Sequence, residues 1–373
     1  MTLRRALLGL LAPVSALAVA LLVSSAALLL IDQSPVQAFT AMLQYGSRID
    51  SILSIINRAT PLFLSGLAVA IGFKMNLFNI GVEGQYRLAA LLAAAVGGAL
   101  VLPAPLHIAL IVLTAMAVGA GWAGIAGVLK VTRGIHEVIS TIMLNFISIG
   151  LGQYLFSTYL QAPRGPQDLI IKTRVIPPSG RFPPLNRLVQ AFGVETRQDL
   201  FGFVLVAILV GVAFYVIVWR TRFGYDLRAS GVNPDAARVS GVNPNAMVIR
   251  TMLLSGGIAG LVGMSDLLGF FHQYTLDFPV GLGFTGIAVA LVGRNHPVGV
   301  ALAALLFGFI ERSAQILDLE GIPKEIITIM QGVIILSVVI AYEVVHRMIQ
   351  AQEVRAAAEE ARVIEVEREE ARA

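Results

Sequence analysis

The order of hydrophobic and polar residues divides the chain into long apolar runs separated by short polar segments. A helix that crosses the hydrocarbon core of a bilayer needs about 20 apolar residues. The runs that we interpret as membrane helices cover residues 6–31, 88–129 (two helices, divided at Pro103 and Pro105), 138–163, 200–219, 251–265, 278–293, 295–310 and 326–342. The run 61–73 is too short to cross alone as a straight helix. The pattern therefore predicts an all-α, polytopic transmembrane helical bundle of about ten segments, two or three of them short or broken.

Composition supports a membrane protein and removes several function classes. Of the 373 residues, 57% are hydrophobic and only 13% are charged, whereas soluble domains carry about 25% charged residues. The net charge of +4 makes nucleic acid a poor candidate partner. Because the chain contains no cysteine, disulfides and thiolate metal sites are excluded, and we predict no metal site. It also lacks a Gly-x4-Gly-Lys-Ser/Thr phosphate loop, so we expect no ATP or other cofactor on this chain.

The distribution of basic residues predicts the orientation. The first run can be interpreted as a signal peptide with Ala16-Leu17-Ala18 before the cleavage site, but its length favours a retained helix. With ten crossings and the N-terminus inside, the inner segments hold 17 Lys and Arg residues and the outer segments hold 9. Basic residues favour the cytoplasmic side. We therefore predict a transmembrane domain over 1–346, with an outer loop over 161–199 and an inner loop over 220–250, and a charged tail over 347–373, with both termini cytoplasmic.

Two parts of the sequence are similar to each other. The segment Ser65-Gly66-Leu67-Ala68-Val69-Ala70-Ile71 matches Thr285-Gly286-Ile287-Ala288-Val289-Ala290-Leu291, and a second match between 88–92 and 302–306 follows in the same order. Both copies run from outside to inside in the predicted topology. This arrangement favours a parallel internal repeat, related by an axis along the membrane normal.

Each copy of the repeat is followed by a polar break, residues 73–85 after the first copy and residues 293–297 after the second. Irregular backbone at membrane depth is tolerated only where it is buried in protein or lines a wet cavity, and transporter sites often lie at discontinuous helices. Amide, carboxylate and aromatic groups suit neutral polar or heterocyclic solutes. The candidate solute-pathway residues are Phe73, Asn76, Phe78, Asn79, Glu83, Gln85, Asn145 and Asn295. Ordinary turns explain the polar residues of the breaks equally well, and interhelical hydrogen bonding explains Asn145.

The pentapeptide Ser-Gly-Val-Asn-Pro occurs twice, ten residues apart, in SGVNPDAARVSGVNPNA (230–246). Asn caps helices well and Pro is favoured at the first helical position. Asn233-Pro234 therefore predicts the start of a helix of about two turns that ends at Gly241. Asn243-Pro244 predicts a second start, which leads into the apolar run from Thr251. The five flanking arginines place this short helix on the cytoplasmic side.

Four stretches resemble the membrane permeases of bacterial ABC importers: FNIGVEGQYRLAALLAAAVGG (78–98), KVTRGIHEVISTIMLNFI (130–147), RASGVNPDAARVSGVN (228–243) and GFTGIAVALVGRNHPVG (283–299). This superfamily serves branched-chain amino acids, ribose-type sugars and nucleosides. The combination of Asn-Ile-Gly-Val-Glu-Gly-Gln and Gly-Ile-His-Glu-Val-Ile is most similar to the nucleoside, or simple-sugar, branch. The resemblance covers roughly residues 60–345.

The resemblance implies a transport subunit in the bacterial inner membrane, not an enzyme. It implies two permease subunits that are often different, two ATPase subunits that bind ATP and Mg²⁺, and a lipoprotein that captures the solute outside, all within membrane lipid. It also implies a short cytoplasmic helix that seats in the ATPase and transmits its motion. The matching positions are Arg228, Gly231, Asn233, Pro234, Ala236, Ala237, Arg238 and Gly241.

Three alternatives stay open at this point. Within the same family, the solute can be a pentose or a branched-chain amino acid. An ion-coupled secondary transporter would need buried carboxylates, which the strong spans almost lack, and would leave the Arg-rich loop unexplained. A membrane enzyme is the weakest interpretation, because the five histidines form no metal-spaced or nucleophile–base pattern.

Overall fold

The computed structural model describes residues 18–163, 170–191, 193, 196–323 and, with gaps, 325–347. The beginning of the first apolar run, part of the outer loop and the predicted charged tail beyond residue 347 lie outside the described residues. Contacts divide the chain into two compact units, residues 42–316 and residues 1–41 with 317–373. The unit 42–316 contains both polar breaks and the doubled pentapeptide.

The described residues form helices joined by short connections. These helices are α1 (Ala18–Leu29), α2 (Pro35–Gly46), α3 (Ile49–Phe73), α4 (Val82–Ala99), α5 (Ala104–Arg133), α6 (Glu137–Leu155), α7 (Asn186–Ala191), α8 (Phe203–Arg220), α9 (Arg222–Val232), α10 (Pro234–Val239), α11 (Pro244–Gly260), α12 (Met264–Asp266), α13 (Leu282–Val292), α14 (Pro297–Leu319) and α15 (Thr328–Val338). Two π-helical turns, Phe156–Leu160 and Leu267–Phe271, extend α6 and α12.

The predicted helical bundle is confirmed, and the number of segments agrees approximately. Six described helices are long and apolar enough to cross a membrane, and three shorter apolar helices accompany them: α1, α13 and α15. The division at Pro103 is confirmed, because α4 ends at Ala99 and α5 begins at Ala104. Length and composition thus give a polytopic membrane protein.

One predicted segment is wrong. The run 61–73 is the second half of α3, a helix of 25 residues that is long enough to cross by itself. Polar residues such as Ser54 and Asn57 interrupt the apolar pattern in its first half, but they are buried against the chain. The Asn57 amide donates to the carbonyl of Asp199 (2.7 Å) and accepts the N–H of Phe201 (2.9 Å), so its polarity is satisfied inside the bundle.

The centre of the unit 42–316 is built from α3 and α11, each of which is mostly buried. Small residues bring α5 and α11 into backbone contact. A Cβ atom on Gly119 would overlap the carbonyl of Gly256, and one on Gly260 would overlap the carbonyl of Ala115. Such small-residue contacts are the usual means of close helix packing in membranes.

The two repeat segments pack against each other and run in the same direction. A Cβ atom on Gly286 of α13 would overlap the hydroxyl of Ser65 on α3, and that hydroxyl donates to the carbonyl of Leu282 (2.8 Å). The residues that follow the two helices meet at one ring, because Lys74 and His296 both lie beside Trp219. The predicted parallel relation of the two copies agrees with this geometry.

Both helices also end in the same kind of turn. The N–H of Leu77 donates to the carbonyl of Gly72, and the N–H of Asn295 donates to the carbonyl of Ala290. The residues before these donors, Asn76 and Arg294, have φ values of +57° and +56°. This is a Schellman arrangement built on non-glycine residues.

We expect Gly286→Ala to destabilise the bundle, because the added methyl group meets Ser65 in a packed helix contact. The expected loss is about 1–3 kcal/mol, as for other overpacked cores, measured by thermal unfolding in detergent. The matched control is Gly150→Ala on α6, where a Cβ atom meets nothing within 4 Å. A Gly286→Ala protein as stable as the Gly150→Ala control would contradict the packing described here.

Candidate functional site

The doubled pentapeptide forms two helix starts, as predicted. The Asn233 side chain accepts the N–H groups of Asp235 and Ala236 (both 3.0 Å) at the start of α10. The Asn243 side chain accepts the N–H of Ala246 (3.1 Å) at the start of α11. Gly241 lies between them with φ +84°, which stops α10 and reverses the chain. The segment is therefore a short, separately capped helix between two longer ones.

The two faces of α10 differ. Ala237 turns inward and is only 3% exposed, whereas Val232 and Val239 are 88% and 91% exposed. Arg238 pairs with Asp235 one turn away (3.0 Å), and both side chains lie on the surface. The outward face therefore offers isolated apolar side chains beside charged ones.

The segment before α10 contacts the first polar break directly. A Cβ atom on Gly231 would lie 2.7 Å from Cα of Met75 and 2.8 Å from the carbonyl oxygen of Lys74. The Thr251 hydroxyl of α11 donates to the sulfur of Met75 (3.1 Å). Only glycine permits this backbone approach, so Gly231 ties the end of α9 to the end of α3.

Two basic side chains, Lys74 and Arg228, lie where the ends of α3, α8 and α9 meet. The Lys74 ammonium lies 5.1 Å from the centre of the Trp219 ring. Burial lowers the pKa of Lys74, and the nearby charge of Arg228 lowers it further. The Arg228 guanidinium donates to the carbonyl of Val218 at the end of α8. The predicted coupling residue Arg228 thus connects α9 to α8 rather than projecting freely.

The first polar break closes on itself through amide side chains. Asn79 and Gln85 exchange two hydrogen bonds (both 3.0 Å), and the Asn79 amide also donates to the hydroxyl of Ser255 on α11 (2.8 Å). The Ser255 hydroxyl in turn donates to the carbonyl of Ala68 on α3 (2.6 Å). Asn79, Gln85 and Ser255 are all buried. The break is therefore a fixed turn rather than a loose loop.

Asn145 holds the start of α4 to α6. Its side-chain oxygen accepts the N–H of Gly84 (2.9 Å), and its amide donates to the carbonyl of Ile80 (3.0 Å). A Cβ atom on Gly81 would lie 3.2 Å from Cβ of Thr141, one turn into α6. Val82, Glu83 and Gly84 in the first turn of α4 are all buried, so α4 begins inside the bundle and not at its surface.

Glu83 joins the start of α4 to the start of α13. Its two carboxylate oxygens accept the N–H groups of Gly281 and Gly283 (both 2.9 Å), and the Tyr86 hydroxyl donates to the first of them (3.1 Å). The side chain is only 4% exposed. A carboxylate at a helix N-terminus is favourable because the unpaired N–H groups and the helix dipole are positive there. Two discontinuous helices therefore share one anionic cap.

The predicted solute-pathway residues lie in different environments. Asn79, Glu83, Gln85 and Asn145 are buried and hydrogen-bonded to the chain. Phe73 and Phe78 lie against each other with ring centres 5.0 Å apart. Asn76 is exposed, and the buried Oδ1 of Asn295 has no hydrogen-bond partner among the described residues. Their role in transport stays a prediction.

The sequence analysis missed Arg87 and Tyr274. Arg87, counted among the inner-surface basic residues, lies on α4 one turn after Glu83 and lines a small cavity together with Tyr274. The sequence did contain a signal for Arg87, since an ionisable residue next to a long apolar run is a candidate functional residue in a membrane protein. Tyr274 lies in the connection between the π-helical turn Leu267–Phe271 and α13, where no pattern indicated burial. Among the described residues no cluster of three or more metal-ligating side chains occurs.

Comparison of the sequence with known proteins identifies the family. The model of the family described as "Branched-chain amino acid transport system / permease component" matches residues 51–339. The chain is 38% identical over 291 residues to the guanosine ABC transporter permease protein NupP of Bacillus subtilis, with 78% of this chain and 81% of the relative covered. It is 33% identical to the glucose ABC transporter permease protein TsgB13 of Haloferax volcanii (87% and 85% covered) and 30% identical to the nucleoside ABC transporter permease protein NupB of Lactococcus lactis (82% and 84% covered).

These matches define the class of protein: a membrane permease of the ABC transporter type, a transport component and not an enzyme. The chain belongs to the branched-chain amino acid transport system permease family, as the resemblance implied. Membership also means that it works with an ABC ATPase.

We expect Glu83→Gln to lower the stability of the folded protein. The amide loses the negative charge between the two helix starts, and its NH₂ group faces an N–H that needs an acceptor. Leaving such a buried donor unsatisfied costs about 1–3 kcal/mol, measurable as a lower unfolding temperature in detergent. The control is Asp277→Asn, an exposed carboxylate in the neighbouring connection. Equal unfolding temperatures for the two variants would show that Glu83 is not the cap that the helix starts require.

Proposed function

We propose that this chain is a permease subunit of an ATP-driven importer for nucleosides. Two relatives at 38% and 30% identity carry guanosine or nucleoside in their names, and each match covers more than three quarters of this chain. The structural observation that carries the proposal is the exposed, separately capped α10 joined through Gly231 to the first polar break. In this arrangement a partner ATPase can contact α10, and a movement of α10 can reach the first polar break through Gly231.

In this proposal the motor is a separate ATPase that binds ATP and Mg²⁺, and this chain holds no cofactor. The partner receives the outward face of α10 with Val239, and beside it Val232, the last residue of α9. The positions Arg228, Gly231, Asn233, Pro234, Ala236, Ala237, Arg238 and Gly241 form or position that contact. Ala237 acts from the inward side, because it packs against its own chain.

Two further partners complete the proposed importer: a second permease subunit, likewise embedded in membrane lipid, and a lipoprotein that delivers the solute. The outer loop 161–199 lies on the side of the lipoprotein. The basic residues of the inner segments favour a bacterial inner membrane with both termini in the cytoplasm. The breaks after α3 and α13 border the solute pathway, with Asn76 and Asn295 nearest to it and Asn79, Glu83, Gln85 and Asn145 holding the break in position.

Uptake of labelled guanosine, adenosine, ribose and glucose tests the substrate. Right-side-out vesicles that contain the complete importer are loaded with ATP, and a variant of the ATPase that cannot hydrolyse ATP provides the background. We expect ATP-dependent uptake of nucleosides and none of free sugars. Uptake of glucose or ribose without nucleosides would contradict the proposal.

A sugar permease is the second candidate, and one observation favours it. The glucose permease relative is 33% identical and matches 87% of this chain, a longer match than that of the guanosine relative. Neutral sugars and nucleosides share hydroxyl groups that amide side chains can bind. The same uptake experiment separates the two solutes.

We expect Val239→Asp to reduce solute-stimulated ATPase activity at least several-fold, because burying an unpaired carboxylate in a protein contact is strongly unfavourable. The side chain is 91% exposed, so the folded permease should keep its unfolding temperature. Val239→Ile is the matched control, since it keeps an apolar surface at the same place. Full stimulation of the ATPase by the Val239→Asp permease would contradict the assignment of α10 as the coupling helix.

A further inference from the structure

A small cavity between α4, α6 and the connection before α13 differs from the rest of the bundle in its chemistry. Its volume is about 110 Å³, and its lining combines polar and aromatic side chains: Arg87, Ser148, Gln153, Phe156 and Tyr274. We call it the Arg87 recess. Ligand pockets usually measure about 300–1,000 Å³, so the recess takes one planar ring system of a solute, such as a base, and not a whole nucleoside.

The aromatic wall of the recess is held in place from several sides. The rings of Phe156 and Tyr274 meet edge to face with centres 5.6 Å apart, and Tyr274 stacks on Phe278 at 5.0 Å. The backbone of Tyr274 accepts the N–H of Thr173 and donates to the Thr173 hydroxyl (both 3.0 Å). The outer loop thus orders the connection that carries Tyr274. A π-helical turn begins at Phe156, and such turns are frequent at functional sites.

Arg87 supplies hydrogen-bond donors that the protein does not use fully. Its Nε is buried and has no hydrogen-bond partner among the described residues. The Arg87 side chain lines the recess together with the ring of Tyr274. Glu83, one turn away on α4, is occupied by Gly281 and Gly283. An arginine placed in this way inside a membrane bundle indicates a ligand that accepts hydrogen bonds.

We propose that the Arg87 recess binds the base of a 6-oxopurine nucleoside, an inference that rests on the proposed nucleoside transport. Arg pairs two donors with O6 and N7 of guanine, whereas adenine presents a donor at N6 and is matched by Asn or Gln. The rings of Phe156 and Tyr274 supply the apolar contact for the base. The exposed Gln153 supplies a further polar contact at the rim, and the buried Ser148 hydroxyl, which donates to the carbonyl of Asn145 (2.7 Å), offers an acceptor inside the recess. The ribose lies outside the recess, toward the pathway.

The test uses the complete importer in vesicles, with labelled guanosine, inosine and adenosine supplied separately. We expect the natural protein to prefer guanosine and inosine to adenosine. Arg87→Gln should reduce the ratio of guanosine to adenosine uptake roughly tenfold, since one well-formed bidentate contact discriminates bases by about that factor or more. Ile147→Leu on the exposed face of α6, outside the recess, should leave the ratio unchanged.

The folded state of each variant is measured by its unfolding temperature in detergent. If Arg87→Gln does not fold, Gln153→Ala takes its place, because Gln153 is exposed and its loss removes no core packing; it should raise the half-saturating guanosine concentration several-fold. An unchanged guanosine-to-adenosine ratio in folded Arg87→Gln, or an equal fall for both nucleosides, would overturn the recess as a base site. Absence of nucleoside uptake by the natural protein overturns the proposed function instead, so the two failures are distinguishable.

Discussion

The carboxylate of Glu83 is the interaction on which the central architecture depends. Two helices, α4 and α13, begin inside the bundle and bring their positive N-terminal ends together. Without a negative group between them, the unpaired N–H groups of both first turns would face each other in a medium that cannot solvate them. Glu83 lies in the first turn of α4 and accepts two N–H groups from the start of α13. One side chain therefore stabilises two discontinuous helices, more than 190 residues apart along the chain.

The same region connects the segment that contains α10 to the Arg87 recess. Gly231 contacts the backbone of Met75, the break that follows contains the Asn79–Gln85 amide pair, and α4 then carries Glu83 and Arg87. Because this route consists of close backbone contacts and saturated hydrogen bonds, it transmits displacement better than a flexible loop. A movement of α10 would thus reach the starts of α4 and α13 together. The helices α3 and α13 also pack along each other, and the residues that follow them lie beside the same tryptophan.

Local signals predicted the elements well. The two Asn-Pro starts, the stop at Gly241 and the division between α4 and α5 follow from capping and proline chemistry, which act over a few residues. The wrong segment, 61–73, shows the limit of that approach. Its hydrophobic pattern breaks at Asn57 because the amide finds its partners at Asp199 and Phe201, far away in the chain. A polar residue satisfied by a distant partner cannot be distinguished from a surface residue by periodicity alone.

The sequence by itself determined the class of fold, the short capped helix α10 and the two polar breaks, since apolar length, helix capping and turn chemistry are local properties. The tertiary structure decided what the polar residues do. Asn79, Glu83, Gln85 and Asn145 stand out in the sequence as possible solute ligands, yet the folded chain binds their polar atoms itself. Arg87 and Tyr274, which no local pattern related to each other, meet across the Arg87 recess. The physical reason is that a hydrogen-bond partner or a cavity wall is supplied by whichever helices pack nearby, and that packing depends on the whole chain.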